Sequence, residues 1–246
     1  MNINPIIGVL LSASLIITPY SEPGCTQIET VSVETEPGCI EEALPSSYQL
    51  DVTYISQLPE LPTGCEVTAL TTVLNYLGYD VDKCDMADNY MPKGNIYYTD
   101  PDYAFMGDPH DYIKGWGCFA PAIVTTATNY FNTIGSNKDI ALNISGIDLD
   151  TLCRGIYDFQ RPAIIWASND MHPITKGKSW YVNGKKITWR NYNHCLVLIG
   201  WDEENYIVSD PLKGIVSYNK ELFNQRYEEN QKNVVFIFDK ETLDVE

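Results

Sequence analysis

The chain has few basic residues: 16 lysines and arginines stand against 33 aspartates and glutamates, which gives a formal net charge of −17 over 246 residues. No basic residue precedes Lys83. A surface of this sign repels phosphate backbones and anionic lipid headgroups. Nucleic acid is therefore excluded as a partner, and contact with a membrane is left only to an N-terminal anchor.

Histidine is scarce as well, with three residues, and no two of the seven cysteines have the C-x-x-C spacing. Structural zinc sites normally show such short ligand spacings, so the sequence indicates no metal site. No cofactor is predicted either, because the chemistry outlined below needs side chains alone. Since seven is an odd number, at least one thiol has no disulfide partner within the chain.

The sequence also lacks an apolar run of the roughly 20 residues that a membrane-spanning helix requires. Residues 1–21 carry no charged side chain and contain a shorter apolar stretch, which is typical of a secretory signal. We interpret residues 1–18 as a signal peptide or N-terminal anchor, residues 19–47 as an acidic flexible linker and residues 48–240 as one folded domain. This organisation predicts a secreted or cell-surface protein.

One cysteine lies at the predicted start of a helix. Four apolar residues with helical spacing define its buried face, and they are Val67, Leu70, Leu74 and Leu77. Thr63 and Glu66 have the S/T-x-x-E spacing of a capping box, which places Cys65 in the first turn. Because the N-terminal end of a helix stabilises a thiolate, we expect a lowered pKa for the Cys65 thiol. The amide of Gln57, eight residues upstream, is a candidate donor to a developing oxyanion. The alternative is an inert, buried cysteine.

A histidine and an aspartate lie at the ends of two predicted strands. His194 opens an apolar segment of strand length that ends at Gly200, and Asp210 closes a second segment that begins at Tyr206. The short turn between them predicts an antiparallel hairpin, which brings His194 and Asp210 to the same end. A carboxylate there can orient an imidazole, as the third member of a triad does. A histidine buried in the core is the alternative.

Further elements follow from the same patterns. We expect one helix to start near Pro121, another to span residues 147–159 and a buried strand to span residues 162–166. The pair Asn183-Gly184 predicts a hairpin that places Trp180 opposite Trp189.

Taken together, these segments resemble the peptidase C39-like family of the papain clan. The matching segments, over about residues 48 to 238, are Gln57, 62–66, 74–79, 105–109, 115–117, 161–166, 191–194 and 210–211. The resemblance implies an α+β papain-like cysteine peptidase fold, in which the nucleophile helix packs on an antiparallel β-sheet. It implies Cys65 as nucleophile, His194 as general base and then acid, and Asp210 as the group that orients the imidazole. It also implies Gln57 as oxyanion donor, although the gap from Gln57 to Cys65 is longer than is usual in the clan.

The function that this resemblance implies is that of a cysteine peptidase, which hydrolyses a peptide or protein substrate through an acyl-enzyme. Two alternatives stay open. The same scaffold serves transpeptidases, acyltransferases and amidases of cell-wall peptides, because a fold does not determine the reaction. A non-catalytic binding module on this fold is the other alternative, and the reactivity of Cys65 distinguishes it from an enzyme.

Overall fold

The computed structural model describes residues 43–243. The segment interpreted as a signal peptide or anchor, residues 1–18, and most of the expected linker lie outside this range.

The described range contains both strands and helices. The strands are β1 (Tyr48–Gln49), β2 (Lys93–Gly94), β3 (Phe105–Gly107), β4 (Gly115–Gly117), β5 (Asp139–Asn143), β6 (Ala163–Ser168), β7 (Thr175–Val182), β8 (Lys185–Asn191), β9 (Asn193–Trp201), β10 (Asn205–Asp210), β11 (Gly214–Asn219) and β12 (Val234–Asp239). The helices are α1 (Cys65–Tyr76), α2 (Lys83–Asp85), α3 (Ala120–Ile134), α4 (Leu149–Phe159) and α5 (Lys220–Glu229). A π-helical turn (Met86–Tyr90) and two 3₁₀ turns (Asn169–Met171 and Lys240–Leu243) complete the list.

The main sheet of the described range has seven strands. Six of them follow the order β11-β10-β9-β6-β12-β5, and β1 pairs with the end of β9. Every pair in this sheet is antiparallel. Helix α1 packs against β9, in which eight of the nine residues are buried, so the core lies between this helix and the sheet. This is the α+β architecture that the sequence predicts.

Helix α1 is buried on all sides at its start, from Cys65 through Leu74. The residue that caps it is Gly64, which makes no side-chain hydrogen bond, so the predicted capping box is wrong. The hydroxyl of Thr63 donates instead to the backbone carbonyl of Pro109, at 3.2 Å. A Cβ on residue 64 would lie 2.8 Å from the Cβ of Leu61, which is closer than real contacts allow. Glycine is therefore required here by packing between the cap and the preceding loop.

The hairpin of β9 and β10 confirms the expected antiparallel pairing. Tyr206 pairs with Trp201, and an irregularity between Ile207 and Val208 shifts the register by one residue. Because β9 starts at Asn193 and β10 ends at Asp210, His194 and Asp210 lie at the same end of the hairpin.

The other predicted elements are present with small shifts in their ends. Helix α4 begins after Asp148, whose side chain accepts a hydrogen bond from the backbone N–H of Thr151. The β7–β8 hairpin turns at residues 183–184, as expected, but Trp180 pairs with Ile187 rather than with Trp189. A two-residue turn pairs its immediate neighbours first, and this fixes the pairs from Val182 with Lys185 to Ser179 with Thr188, beyond which the register shifts.

Within residues 43–243, none of the helices has both the length and the apolar character needed to span a lipid bilayer.

Candidate active site

Cys65 is the first residue of α1, and its side chain is 8% exposed. Two groups contact its sulfur. The backbone N–H of Cys195, on β9, donates to Sγ at 3.4 Å, and the thiol lies 3.3 Å from Oε2 of Glu66, to which it donates. The packing of α1 on β9 therefore places the sulfur beside the residue that follows His194 in the chain.

His194 and Asp210 form a buried pair. Nε2 of His194 lies 2.8 Å from Oδ1 of Asp210, and both side chains are almost completely shielded from solvent. The same carboxylate accepts hydrogen bonds from the backbone N–H of Leu212, at 2.9 Å, and from the hydroxyl of Tyr218, at 3.3 Å. Asp210 is thereby fixed from three directions, and the imidazole ring is fixed through it.

The charge of Asp210 is also favoured. Burial by itself raises the pKa of this carboxyl, but the hydrogen bond and charge of His194 outweigh burial and hold the pKa below its ordinary value of 3.8. A lowered pKa means that the contribution of this group to stability is present above the unfolded pKa. That contribution is lost as the pH falls through the lower, folded pKa. At neutral pH the pair therefore contains a carboxylate.

Two of the three predicted triad residues, His194 and Asp210, meet at one end of the β9–β10 hairpin, whereas no hydrogen bond within the described residues joins the sulfur of Cys65 to the imidazole. His194 contacts Asp210 directly, and the sulfur of Cys65 accepts from the backbone of the residue next to His194. The negative charge of Asp210 acts on the thiol as well and raises its pKa. With Nε2 bonded to the carboxylate, the other ring nitrogen of His194, Nδ1, is the one left to receive a proton.

The pKa of the Cys65 thiol is raised well above its ordinary value, which contradicts the lowering expected from the helix N-terminus. Burial is the main cause, and the carboxylate of Glu66 adds to it. Only the backbone N–H of Cys195 acts strongly in the other direction. Burial and the carboxylate of Glu66 therefore oppose ionisation of this sulfur.

Gln57 is buried in the loop that precedes α1. Its Nε2 donates to the backbone carbonyls of Leu61, at 3.1 Å, and Pro62, at 2.9 Å, so both amide hydrogens are engaged by this loop. Its own backbone N–H donates to the carbonyl of Pro211, next to Asp210. Within the described residues no hydrogen bond joins Gln57 to Cys65 or His194, and its Oε1 is buried without a partner. Gln57 ties the loop before α1 to the end of β10.

Glu66 is the site residue that the sequence patterns missed, since its spacing from Thr63 was typical of a capping box. Its side chain is 1% exposed, with Oε2 on the sulfur of Cys65 and Oε1 accepting from the backbone N–H of Cys118 at 3.0 Å. The sequence does indicate that Glu66 is buried, because it precedes Leu70 by four residues and therefore lies on the same, apolar face of α1.

The other two histidines lie in different surroundings. Nδ1 of His110 lies 2.9 Å from the carbonyl of Glu60 and its Nε2 lies 3.1 Å from Asp88, whereas His172 packs on the ring of Tyr192. Among residues 43–243, no group of three or more histidine, cysteine, aspartate or glutamate side chains could hold a metal ion.

An aromatic cluster borders the site. Trp189, near the end of β8, packs on Trp116 and Phe119 at centroid distances of 5.6 Å and 5.8 Å. The guanidinium of Arg190 lies 4.0 Å from the centroid of the Phe119 ring. Phe119 is the neighbour of Cys118, whose backbone N–H donates to Glu66, and Glu66 contacts Cys65. Through the packing of Trp189 on Phe119, the β7–β8 hairpin therefore lies near the candidate nucleophile.

Comparisons with known proteins identify the family and agree with the fold. The model of the Peptidase_C39 like family matches residues 49–235. The uncharacterized protein YvpB of Bacillus subtilis (strain 168) is 24% identical over 210 residues, which cover 83% of this chain and 81% of YvpB. The crystal structure of a candidate C39-like peptidase from Bacillus anthracis superposes with a TM-score of 0.69 at 26% identity, over 79% of this chain and 98% of that one.

Proposed function

Because this chain belongs to the Peptidase_C39 like family, we propose that it is a cysteine peptidase that cleaves peptide bonds through an acyl-enzyme. The observation that carries the proposal is the buried contact of His194 with Asp210, at 2.8 Å, beside the sulfur of Cys65. A thiol, an imidazole and a carboxylate held in this order are the groups that nucleophilic acyl transfer requires.

In the first step, Nδ1 of His194 takes the proton of the Cys65 thiol while the sulfur bonds to the carbonyl carbon of the substrate. Asp210 stabilises the imidazolium that forms and keeps Nε2 turned toward itself. The imidazolium then gives its proton to the leaving amine as the C–N bond breaks. Water, deprotonated by His194, next attacks the thioester, and the departing sulfur recovers its proton. No metal or organic cofactor takes part in these steps.

The developing oxyanion needs donors, and a backbone N–H group at the start of α1, such as that of Cys65, is suited to that role. Gln57 is the second candidate. Because both hydrogens of its amide donate to the carbonyls of residues 61 and 62, it can serve only if the oxyanion replaces one of these two acceptors. Its role as oxyanion donor therefore stays a proposal, next to its structural role in the loop.

The test is digestion of a diverse peptide mixture, with products identified by mass spectrometry. We expect cleavage by the wild-type protein and none by Cys65→Ala. Cys84→Ala is the matched control, because it removes a free, half-buried thiol outside the triad and should leave cleavage unchanged. Added amines distinguish hydrolysis from acyl transfer, since a transferase forms the new amide in preference to the free acid. Cleavage that persists in Cys65→Ala, or a wild type that cleaves nothing, would contradict the proposal.

A further inference from the structure

The nucleophile has a carboxyl neighbour that the triad does not use. Oε2 of Glu66 lies 3.3 Å from the sulfur of Cys65, and its other oxygen is fixed by the backbone N–H of Cys118. Two elements far apart in the sequence are needed to hold this one side chain, because Cys118 lies just after β4 and Glu66 lies in the first turn of α1.

The chain also makes room for this carboxyl. A Cβ on Gly117 would lie 2.5 Å from Oε1 of Glu66 and 3.1 Å from the indole of Trp189. Residue 117 has a φ of +137°, which a side chain rarely tolerates. The carbonyl of Cys118 is fixed in turn, because the indole N–H of Trp166 donates to it at 3.1 Å. The carboxyl of Glu66 is therefore held by the N–H of Cys118, whose carbonyl is fixed by Trp166, and it occupies space that only a glycine at residue 117 leaves open.

We infer that Glu66 is a further catalytic residue, whose carboxyl controls whether the sulfur of Cys65 is a thiol or a thiolate. When Glu66 is ionised, its carboxylate accepts the S–H hydrogen bond. Its negative charge then disfavours the thiolate, because the two negative charges would lie side by side. When Glu66 is protonated, its O–H donates to the sulfur and stabilises the thiolate, while the proton of the thiol passes to His194. The catalytic meaning of this inference rests on the proposed function, because it assumes that Cys65 is the nucleophile.

Both states of Glu66 are accessible near neutral pH. Burial raises the pKa of its carboxyl to about 7, against the lowering effect of its hydrogen bonds to the N–H of Cys118 and to the thiol. The titratable groups that face this pair come from every neighbouring element. They are the thiol of Cys118 after β4, His194 and Cys195 on β9, and Asp210 on β10. The positive charge of a protonated His194 favours the carboxylate of Glu66, whereas the carboxylate of Asp210 opposes a negative charge on the sulfur of Cys65.

The decisive measurement is the rate at which iodoacetamide alkylates Cys65, followed by mass spectrometry as a function of pH. In this reaction the sulfur bonds to the methylene carbon, iodide leaves and the thiol proton goes to solvent. Glu66→Gln keeps an oxygen for the N–H of Cys118 and offers an N–H to the sulfur, but it cannot be ionised. We expect the midpoint of its profile to fall by about one pH unit or more. Alkylation of the variant should be about tenfold faster one pH unit above the pKa of Glu66, which is about 7, and equal to that of the wild type well below it, where Glu66 is protonated too.

Glu203→Gln is the matched control, because it removes the same charge from an exposed position. We expect its profile to coincide with that of the wild type. Coincident profiles for the wild type and Glu66→Gln would overturn the inference. An equal shift in Glu203→Gln would overturn it as well, since the effect would then be one of net charge.

A second measurement does not depend on the folding of Glu66→Gln. Glutamate labelled with carbon-13 at its carboxyl reports the titration of Glu66 by NMR in the wild type and in Cys65→Ala. Since the thiol donates to Glu66 and lowers its pKa, we expect a higher midpoint once the thiol is gone. An unchanged midpoint would refute the coupling. Neither measurement uses a peptide, so a protein that cleaves nothing but shows both shifts would disprove the proposed function and leave the control of the sulfur by Glu66 intact.

Discussion

The carboxyl of Glu66 should make the stability of the folded chain fall as the pH rises toward neutral. Its pKa lies at about 7 in the folded protein, against an ordinary value of 4.5, chiefly because burial disfavours the charged form. Between these two values the folded chain holds a proton that the unfolded chain has released. The free energy of unfolding therefore decreases with pH across this window and is constant, for this group, on either side of it.

The size of the effect follows from the width of the window. At about 1.4 kcal/mol per pH unit, ionising Glu66 in place costs about 3 kcal/mol above neutral pH. Glu66→Gln keeps the shape and the acceptor for the N–H of Cys118 but removes the ionisation. We expect the variant and the wild type to be equally stable near the ordinary pKa of a glutamate, and the variant to be about 3 kcal/mol more stable at about one pH unit above neutral.

Urea unfolding followed by tryptophan fluorescence measures this directly, because Trp166 is completely buried and Trp201 nearly so. The exposed Glu203→Gln serves as the control, and its curve should run parallel to that of the wild type. Parallel curves for Glu66→Gln and the wild type would refute the reasoning, since they would mean that Glu66 ionises with an ordinary pKa. A variant less stable at neutral pH would refute it too.

Three further substitutions test other contacts of the structure. Asp210→Asn should reduce peptidase turnover on the order of a thousandfold, because His194 loses the carboxylate that orients it; turnover above a tenth of the wild-type value would contradict the proposed triad. Arg161→Met should lower the free energy of unfolding by about 3–5 kcal/mol, since it leaves the buried Asp139, 2.7 Å away, without its cation; urea titration showing little loss would contradict this. Trp166→Ala should lower the free energy of unfolding by about 3–5 kcal/mol, because it opens a cavity in the core; an unchanged urea midpoint would contradict this and show that the neighbouring side chains fill the cavity.

Much of the site could be predicted because it depends on local patterns. The turn between two apolar segments fixes an antiparallel hairpin, and in such a hairpin the first residue of one strand meets the last residue of the next. That rule alone places His194 beside Asp210, as the 2.8 Å contact confirms. The period of the apolar residues after Cys65 likewise places this cysteine at the start of a helix.

What the sequence could not reveal depends on partners distant in the chain. The S/T-x-x-E spacing describes a capping box only if the threonine is free, and here the hydroxyl of Thr63 donates to the loop at residue 109. Glu66 is then held by an N–H that lies 52 residues away. The pKa of the Cys65 thiol was mispredicted for the same reason. A helix N-terminus favours the thiolate, but burial by the sheet and a carboxylate neighbour act in the opposite direction and outweigh it.

Burial that opposes ionisation of the thiol changes what the proposed mechanism demands of the other residues. In a site with a preformed thiolate and imidazolium, each ion stabilises the other before the substrate arrives. In this protein burial opposes the thiolate, so charge separation must occur during the reaction, when His194 takes the proton. The stabilisation of the new imidazolium then falls to Asp210, which is ionised and completely buried. The loss of Asp210 acts on Cys65 in two opposed ways, because its carboxylate raises the pKa of the thiol but stabilises the imidazolium that takes the thiol proton. We therefore expect the loss of Asp210 to reduce the turnover of peptides, in which the imidazolium must form, far more than it changes the alkylation of Cys65.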